Sequence, residues 1–235
     1  MSGHGATTAK QARVGVAVPA AGSGRRMGGV RKPFLELAGE PVLVHALRPF
    51  LADERVVSIS VALGGEDAAN PPDWLTELDP RVVVVAGGAS RGESVALALA
   101  AIEDGVTIIA VHDAARPLVT THVVSACIDL AAAGISAVAG YPAVDTMKTV
   151  DADGHIVSTP ERANLWHAQT PQVFPAELLL RAYEGGSLDA TDDATLVEQA
   201  GGVVRMIDGG PFNMKVTRPT DFVVAEAILR ARNGR

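Results

Sequence analysis

Four cations crowd into eight positions near the start of the chain. Arg25, Arg26, Arg31 and Lys32 fall within PAAGSGRRMGGVRKPF, from Pro19 to Phe34. Just before them, Ala20, Ala21, Gly22, Ser23 and Gly24 carry little or no side chain, so backbone N–H groups stay uncovered and can curl into an anion-binding nest. Such a loop suits phosphate: backbone donors hold oxygens at close range while Arg and Lys neutralise charge that water no longer screens. The alternative is a solvated basic loop. Glycines beside the cations at a strand end weigh against it, as does a net charge of −7 for the whole chain. Two familiar phosphate motifs are absent. The dinucleotide fingerprint needs a third small residue where Met27 stands, and the P-loop pattern needs Ser or Thr after a Gly-Lys pair, whereas Lys32 lies between Arg31 and Pro33.

Further candidates sit where other apolar runs end. VVVVAGG, from Val82, closes in Gly87-Gly88, where a flat base or a ribose could approach the backbone, and Ser94 could add a hydroxyl. Ala89, Ser90 and Arg91 follow, which is equally consistent with an ordinary strand-to-helix turn. TIIAVHDAARP, from Thr107, places Asp113 at a strand tip. A carboxylate there is a natural Mg²⁺ ligand beside substrate phosphates, and Arg116 could face an anion. An Asp–Arg pair that merely fixes the loop is the other reading. His112 is read as a packed strand residue and given no role. Arg162, Thr170 and Lys215 do not stand out on local features, although Phe212-Asn213-Met214 reads as a short strand-like entry to Lys215.

These positions need a scaffold. Six apolar runs read as strands: Val14–Ala20, Val56–Leu63, and those starting at Val82, Thr107, Ile135 and Val203. Between them lie helical patterns: VLVHALRPFL after Pro41, GESVALALAAI from Gly92, HVVSACIDLAAAG ending at Gly134, DDATLVEQAGG with Asp192 as N-cap, and a terminal TDFVVAEAILRARNGR. The alternation predicts a mostly parallel sheet flanked by helices, with ligands gathered at the carboxyl ends of the strands. DTMKTVDADGHIVSTP, from Asp145, breaks the alternation. Two short β-like segments around Asp153-Gly154 predict a hairpin arm at about 143–163. A lone two-stranded arm is marginal in water, so it must pack on a second subunit or fold back on its own domain; the former is favoured. Residues 1–12 read as a disordered tail and 13–235 as a single domain. GGEDAANPPDW, from Gly64, suggests no role.

Composition narrows the function classes. The chain has 235 residues, 48% hydrophobic and only 4% aromatic, so one sizeable core of Val, Ile, Leu and Ala is expected. The acidic balance argues against a nucleic-acid partner. No apolar run approaches the ~18 residues of a membrane span, and the polar start has no signal-peptide core. The one cysteine, Cys127, lies in an apolar stretch and reads as core, which fits a reducing, cytoplasmic setting.

Taken together, PAAGSGRRMGG with Lys32, GGASRGESV, VHDAARPLV, DTMK, LWHAQTPQVF, TDDA and NMKVTRPTD occur in an order that resembles the 2-C-methyl-D-erythritol 4-phosphate cytidylyltransferases, from about Val14 to Asp221. The resemblance implies a Rossmann-like nucleotidyltransferase fold whose β-arm clasps a second subunit in a homodimer. It implies that CMP passes from CTP to a polyol phosphate, with Mg²⁺ as cofactor and pyrophosphate as product. By matching positions, Arg26, Lys32 and Lys215 would contact the triphosphate and act catalytically. The 20–24 loop with Gly87, Gly88, Ser94 and Asp113 would hold the nucleotide, and Asp113 would also hold the metal. Arg116, Thr146, Arg162 and Thr170 would meet the phospho-polyol, with Thr146 and Arg162 reaching the neighbouring subunit's substrate. Many relatives have Pro-Lys-Gln around the loop lysine, whereas this chain has Arg31-Lys32-Pro33. A ribitol 5-phosphate cytidylyltransferase, a nicotinamide-dependent reductase and a non-catalytic nucleotide-binding protein are the rival readings.

Overall fold

The computed structural model describes residues 12–22 and 31–234. The tail expected to be disordered therefore lies outside the described residues except for Ala12, which packs against the core.

In chain order the elements are β1 (Val14–Pro19), β2 (Glu36–Leu37), β3 (Glu40–Pro41), α1 (Val42–Leu51), β4 (Val56–Leu63), α2 (Gly65–Ala69), α3 (Asp73–Thr76) and β5 (Val82–Ala86). Then come α4 (Arg91–Leu99), β6 (Ile108–Val111), α5 (Thr121–Ala132) and β7 (Ser136–Pro142). The last third holds β8 (Thr149–Val150), β9 (Ile156–Ser158), β10 (Trp166–Pro175), α6 (Ala176–Gly185), α7 (Asp193–Gln199), β11 (Val204–Asp208) and α8 (Pro219–Asn233).

Seven strands form the central sheet in the order β11-β7-β10-β6-β1-β4-β5. All pairings are parallel except those of β10, which runs antiparallel to both β6 and β7. All six expected strands are present. β10 and α6 were not foreseen. Phe212-Asn213-Met214 is a turn and loop rather than a strand, so Lys215 is delivered by irregular backbone.

The side-chain period of a strand assigns each face. Val14, Val16 and Val18 of β1 join the cluster that also holds Leu43, Leu47 and Phe50 of α1 and Val124, Cys127 and Ile128 of α5. Ala17 points the other way, into the cluster with Val95 and Ala98 of α4 and Leu179 of α6. On that face β1 approaches its cover so closely that a Cβ on Gly15 would lie 2.4 Å from Ile102. Cys127 is fully buried, and burial pushes its thiol up to about 12, consistent with a packing role. A third cluster joins Leu37, Val42 and Leu118 to Val216, Ala225 and Leu229, seating α8.

Helix starts are capped as their residues suggest. Ser90 accepts from the Glu93 N–H, Thr120 from that of Val123, and Asp192 from that of Thr195. Gly134, just past α5, takes φ +83, which a residue with a Cβ rarely adopts. Pro41 is the N-cap of α1 rather than part of its first turn.

The segment before α7 docks on the first turn of α4. There the missing side chain of Gly92 makes room: a Cβ would fall 2.2 Å from the Leu188 carbonyl oxygen. Gly92→Ala is therefore expected to lower the unfolding free energy by about 1–3 kcal/mol, the usual cost of overpacking. Urea denaturation checks this, and an unchanged midpoint would show that the 186–192 segment yields freely.

Candidate active site

In this sheet the chain leaves β1 first toward β4 and β5, then crosses back to β6. The ends of β1 and β6 therefore flank a topological switch point, where open α/β sheets bind ligands. The loop at 20–22 follows β1, Gly87-Gly88 follows β5, and Asp113 follows β6. Because β10 runs the opposite way, its first half reaches the same end. The pairing of Gln172 with Val111 sets Thr170 beside Asp113.

Asp113 is the centre of charge. Its Oδ1 accepts from Arg91 Nε at 3.1 Å and its Oδ2 from Lys215 Nζ at 2.9 Å. Arg116 Nε lies 3.6 Å from Oδ2. The residue is only 7% exposed, and burial alone would raise its pKa. Arg91, Lys215 and Arg116 overcome that and hold the carboxyl well below the usual range, so it stays ionised. Arg91 is anchored in turn by the fully buried Asp193, through Nη1 at 3.2 Å and Nη2 at 2.8 Å, and Tyr183 donates to the same carboxylate at 2.5 Å.

A second, buried layer of hydrogen bonds holds the loops. The Asp113 N–H donates to Thr170 Oγ1 at 2.9 Å. Arg116 Nη1 donates to the Asn213 carbonyl at 2.9 Å, and Asn213 Nδ2 donates to the Thr170 carbonyl at 2.9 Å and to Gln169 Oε1 at 3.0 Å. The Val216 N–H donates to the Ala115 carbonyl at 2.7 Å, which fixes Lys215 against the Asp113 turn.

The residues expected on the nucleotide side are positioned by close backbone contact. A Cβ on Gly87 would lie 2.5 Å from that of Ala21 and 3.2 Å from the Leu63 carbonyl, so only glycine lets these loops touch. Ser94 is 2% exposed. Its hydroxyl accepts from the Gly88 N–H at 3.1 Å and donates to the Ser90 carbonyl at 2.8 Å, so it shapes the glycine turn from behind. The Ala20 N–H is committed to the Ala62 carbonyl at 2.8 Å and does not join an anion nest. Ser23, Gly24 and Arg26 lie outside the described residues, as does the side chain of Lys32, whose backbone forms a short 3₁₀ turn, Lys32–Phe34.

Not all four loop cations serve one site. Arg31 pairs with Asp67 and, at 2.6 Å, with Glu66, both on α2. The segment from Gly64 that suggested no role thus tethers the exit of the glycine-rich loop. Thr146 and Arg162 lie on the exposed arm, where Arg162 donates to the Val144 carbonyl, and no described contact joins them to Asp113 within the chain.

Thus Asp113, Arg116, Thr170 and Lys215 come together as expected. Arg91, Asp193, Tyr183 and Asn213 are the supporting residues that had no assigned role. Arg91, beside the glycine pair, carried a usable signal. For Asp193 the only hint was its place in TDDA, and the rest depends on long-range contacts.

The acid response follows from the same burial. His112 is fully buried, and burial, helped by Arg116 and Arg91, drives its pKa from 6.5 to about 4 against the pull of Asp113. The unfolded chain binds this proton below about pH 6.5 and the folded chain only below about pH 4. Stability is therefore full above that window and lost as pH falls through it, at roughly 1.4 kcal/mol per pH unit for one proton. Urea titrations at pH 7, 5.5 and 4.5 should show the fall, and His112→Gln should flatten it; equal slopes in both proteins would refute the assignment.

Comparisons with known proteins agree with this fold. The family model described as IspD, 2-C-methyl-D-erythritol 4-phosphate cytidylyltransferase, matches residues 14–231. The protein of that name from Symbiobacterium thermophilum is 47% identical over 224 residues, covering 93% of this chain and 94% of its own length. That from Streptomyces coelicolor is 44% identical over 234 residues, with 94% and 86% covered. Among solved structures, a 4-diphosphocytidyl-2C-methyl-D-erythritol synthase from Anaerococcus prevotii superposes with a TM-score of 0.82 at 26% identity, covering 94% and 97% of the two chains. The Thermus thermophilus 2-C-methyl-D-erythritol 4-phosphate cytidylyltransferase gives 0.76 at 30% identity, with 94% and 100% covered. A matched stretch that spans the sheet, the cation cluster and the arm leaves one conclusion: the chain belongs to the 2-C-methyl-D-erythritol 4-phosphate cytidylyltransferase family.

Proposed function

We propose that this nucleotidyltransferase transfers CMP from CTP to 2-C-methyl-D-erythritol 4-phosphate, giving 4-diphosphocytidyl-2-C-methyl-D-erythritol and pyrophosphate. The observation that carries the reading is the cluster of Arg91, Arg116 and Lys215 around one ionised carboxylate at the sheet's switch point. Three cations against Asp113 leave positive charge for polyphosphate, and Lys215 is the most exposed of them at 41%.

The reaction is a displacement at phosphorus. A phosphate oxygen of the acceptor forms a bond to the α-phosphorus of CTP, and the bond from that phosphorus to the bridging oxygen of pyrophosphate breaks. The attacking oxygen is already ionised near neutral pH, so no side chain need remove a proton, and catalysis rests on alignment and charge neutralisation. Lys215, with Lys32 and Arg26, neutralises charge on the α-phosphate and the leaving pyrophosphate. Arg91 keeps Asp113 paired while Lys215 turns toward the nucleotide. Gly87 and Gly88 admit the base and ribose, and Arg116 and Thr170 face the acceptor.

Asp113 fits a Mg²⁺ partner. A carboxylate offers about four lone-pair positions, and Arg91 and Lys215 occupy two of them. Bound there, Mg²⁺ would neutralise the CTP phosphates.

The β8–β9 arm is read as a dimerisation element. Its root is closed by the Ala143 N–H donating to the Leu165 carbonyl at 2.8 Å, while Val144, Val150, Ile156 and Val157 are more than half exposed. A ribbon this short needs cover, and a second subunit's body supplies it, bringing Thr146 and Arg162 to the neighbouring site. No described helix is long and apolar enough to cross a membrane. The single cysteine favours a cytoplasmic enzyme, and the net charge of −7 favours small phosphorylated substrates over nucleic acid.

Pyrophosphate release with 2-C-methyl-D-erythritol 4-phosphate and with ribitol 5-phosphate tests the acceptor directly; faster turnover of ribitol 5-phosphate would reverse the assignment. Lys32→Ala and Lys215→Ala should each lose about 10²–10³ in kcat, Lys32→Ala with an unchanged melting curve and Lys215→Ala with a lowered one because buried Asp113 loses a cation; near-normal kcat in both would remove their catalytic role. The arm has its own test. Arg162→Ala and Lys215→Ala proteins, each weakly active alone, should regain activity when mixed under subunit exchange, because one site of the mixed dimer then has both side chains intact. No recovery despite proven exchange would place Arg162 in its own subunit's site.

A further inference from the structure

His112 touches both residues that face the acceptor in the reading above. It is fully buried, with its ring 5.1 Å from that of Phe50 on one side and the Asp113–Arg116 turn on the other. Its Nε2 lies 3.2 Å from the Arg116 carbonyl oxygen and its Nδ1 lies 3.1 Å from Thr170 Oγ1.

The donor logic of this trio has one solution for a neutral ring. A carbonyl oxygen can only accept, so the proton sits on Nε2 and donates to Arg116. Nδ1 then carries a lone pair, and the Thr170 hydroxyl must donate to it. The Thr170 oxygen meanwhile accepts from the Asp113 N–H at 2.9 Å. The hydroxyl hydrogen and one lone pair are thereby committed inside the protein. The ring is fully buried, and its two nitrogens meet a carbonyl oxygen and a hydroxyl rather than a carboxylate, so it is held neutral.

We propose that His112 is a positioning residue of the acceptor site: through Nε2–H it fixes the backbone that carries Arg116, and through Nδ1 it sets the Thr170 hydroxyl. The inference rests on the cytidylyltransferase reading, which assigns Arg116 and Thr170 to the acceptor. A consequence concerns specificity. With its hydrogen given to His112, Thr170 has only a lone pair to offer, so it pairs with a hydroxyl of the polyol, which can donate, rather than with an ionised phosphate oxygen, which cannot.

The test is a double-mutant cycle read by pyrophosphate release, varying CTP and acceptor separately. His112→Phe keeps a ring against Phe50 and deletes both nitrogens, and Thr170→Val deletes the hydroxyl at nearly constant shape. His112→Phe should raise the acceptor KM about tenfold, the scale of one lost buried hydrogen bond, while the CTP KM stays within about twofold. The double variant should be little worse than the worse single one. His112→Asn, whose carboxamide oxygen can stand near the place of Nδ1, and His112→Gln, whose amide nitrogen can reach toward the Arg116 carbonyl, should each recover part of the acceptor KM that His112→Phe loses. If His112→Phe does not fold, the cycle is run with His112→Gln and Thr170→Val under the same expectation of non-additivity. Losses that multiply in the double variant, a CTP KM that rises with the acceptor KM, or Asn and Gln variants that are both as impaired as Phe would each overturn the proposal. Failure of the wild-type protein to release pyrophosphate would instead overturn the cytidylyltransferase reading itself, so the two failures are distinguishable.

Discussion

A carboxylate taken out of water must find its countercharge inside the protein, because an uncompensated buried charge costs several kcal/mol. Asp113 meets this demand with cations from three places. Arg91 comes from the start of α4, Arg116 from its own turn, and Lys215 from the loop after β11. Satisfying one carboxylate therefore pins three chain segments to one end of the sheet. The demand also propagates outward. Arg91 is itself largely covered and is balanced by Asp193, which has no exposed surface and takes a further hydrogen bond from Tyr183. Positive and negative groups alternate along Lys215, Asp113, Arg91 and Asp193, so each inner member has a partner on either side.

Behind that chain of charges, β10 does what an apolar strand could not. Gln169, Thr170 and Gln172 are buried at 3%, 3% and 1% exposure in a strand between two neighbours. Each is satisfied by something remote in sequence. Gln172 accepts from the Ala194 N–H at 2.8 Å and donates to Asp192 at 2.9 Å, Gln169 accepts from Asn213 and donates to the Gly210 carbonyl, and Thr170 accepts from the Asp113 N–H. A hydrogen-bonded polar network specifies position more sharply than packing does, because a shift of an ångström forfeits hydrogen bonds as well as contacts. β10 thereby sets the Asp113 turn, the Asn213 loop and the start of α7 in one register.

This is also where reading the chain in one dimension fell short. The Val- and Ile-rich strands and the capped helices announce themselves, because burial on both faces demands continuous apolar runs and helix starts demand Ser, Thr or Asp. The place of Asp113 at a strand tip was likewise legible, since it is written in residue type and spacing. WHAQTPQVFP carries two prolines and four polar or titratable residues, so neither alternation nor a continuous apolar run marks it as a central strand. The partners that make those polar residues tolerable lie 20 to 58 residues away along the chain. For the same reason Arg31 was counted with the phosphate-binding cations, although Glu66 and Asp67 claim it from a segment with no recognisable pattern.

The stretch that joins β7 to the end of β10 reverses the usual placement of polarity, and the reversal explains itself. At its sheet end, polar side chains are inside and satisfied. On the arm, apolar side chains are outside: Val150, Ile156 and Val157 are 56%, 63% and 68% exposed. Two β-strands of two and three residues cannot hold themselves by ladder hydrogen bonds alone, and their apolar side chains gain nothing while they face water. The Asp153-Gly154 turn, with Gly154 at φ +85, and the tie between Ala143 and Leu165 fix the ribbon's shape but give it no cover. A short ribbon that is shaped, rooted and uncovered has its geometry specified before its stabilising surface arrives. The same polypeptide that holds the Asp113 turn through Thr170 therefore extends Arg162 outward beside an exposed apolar face.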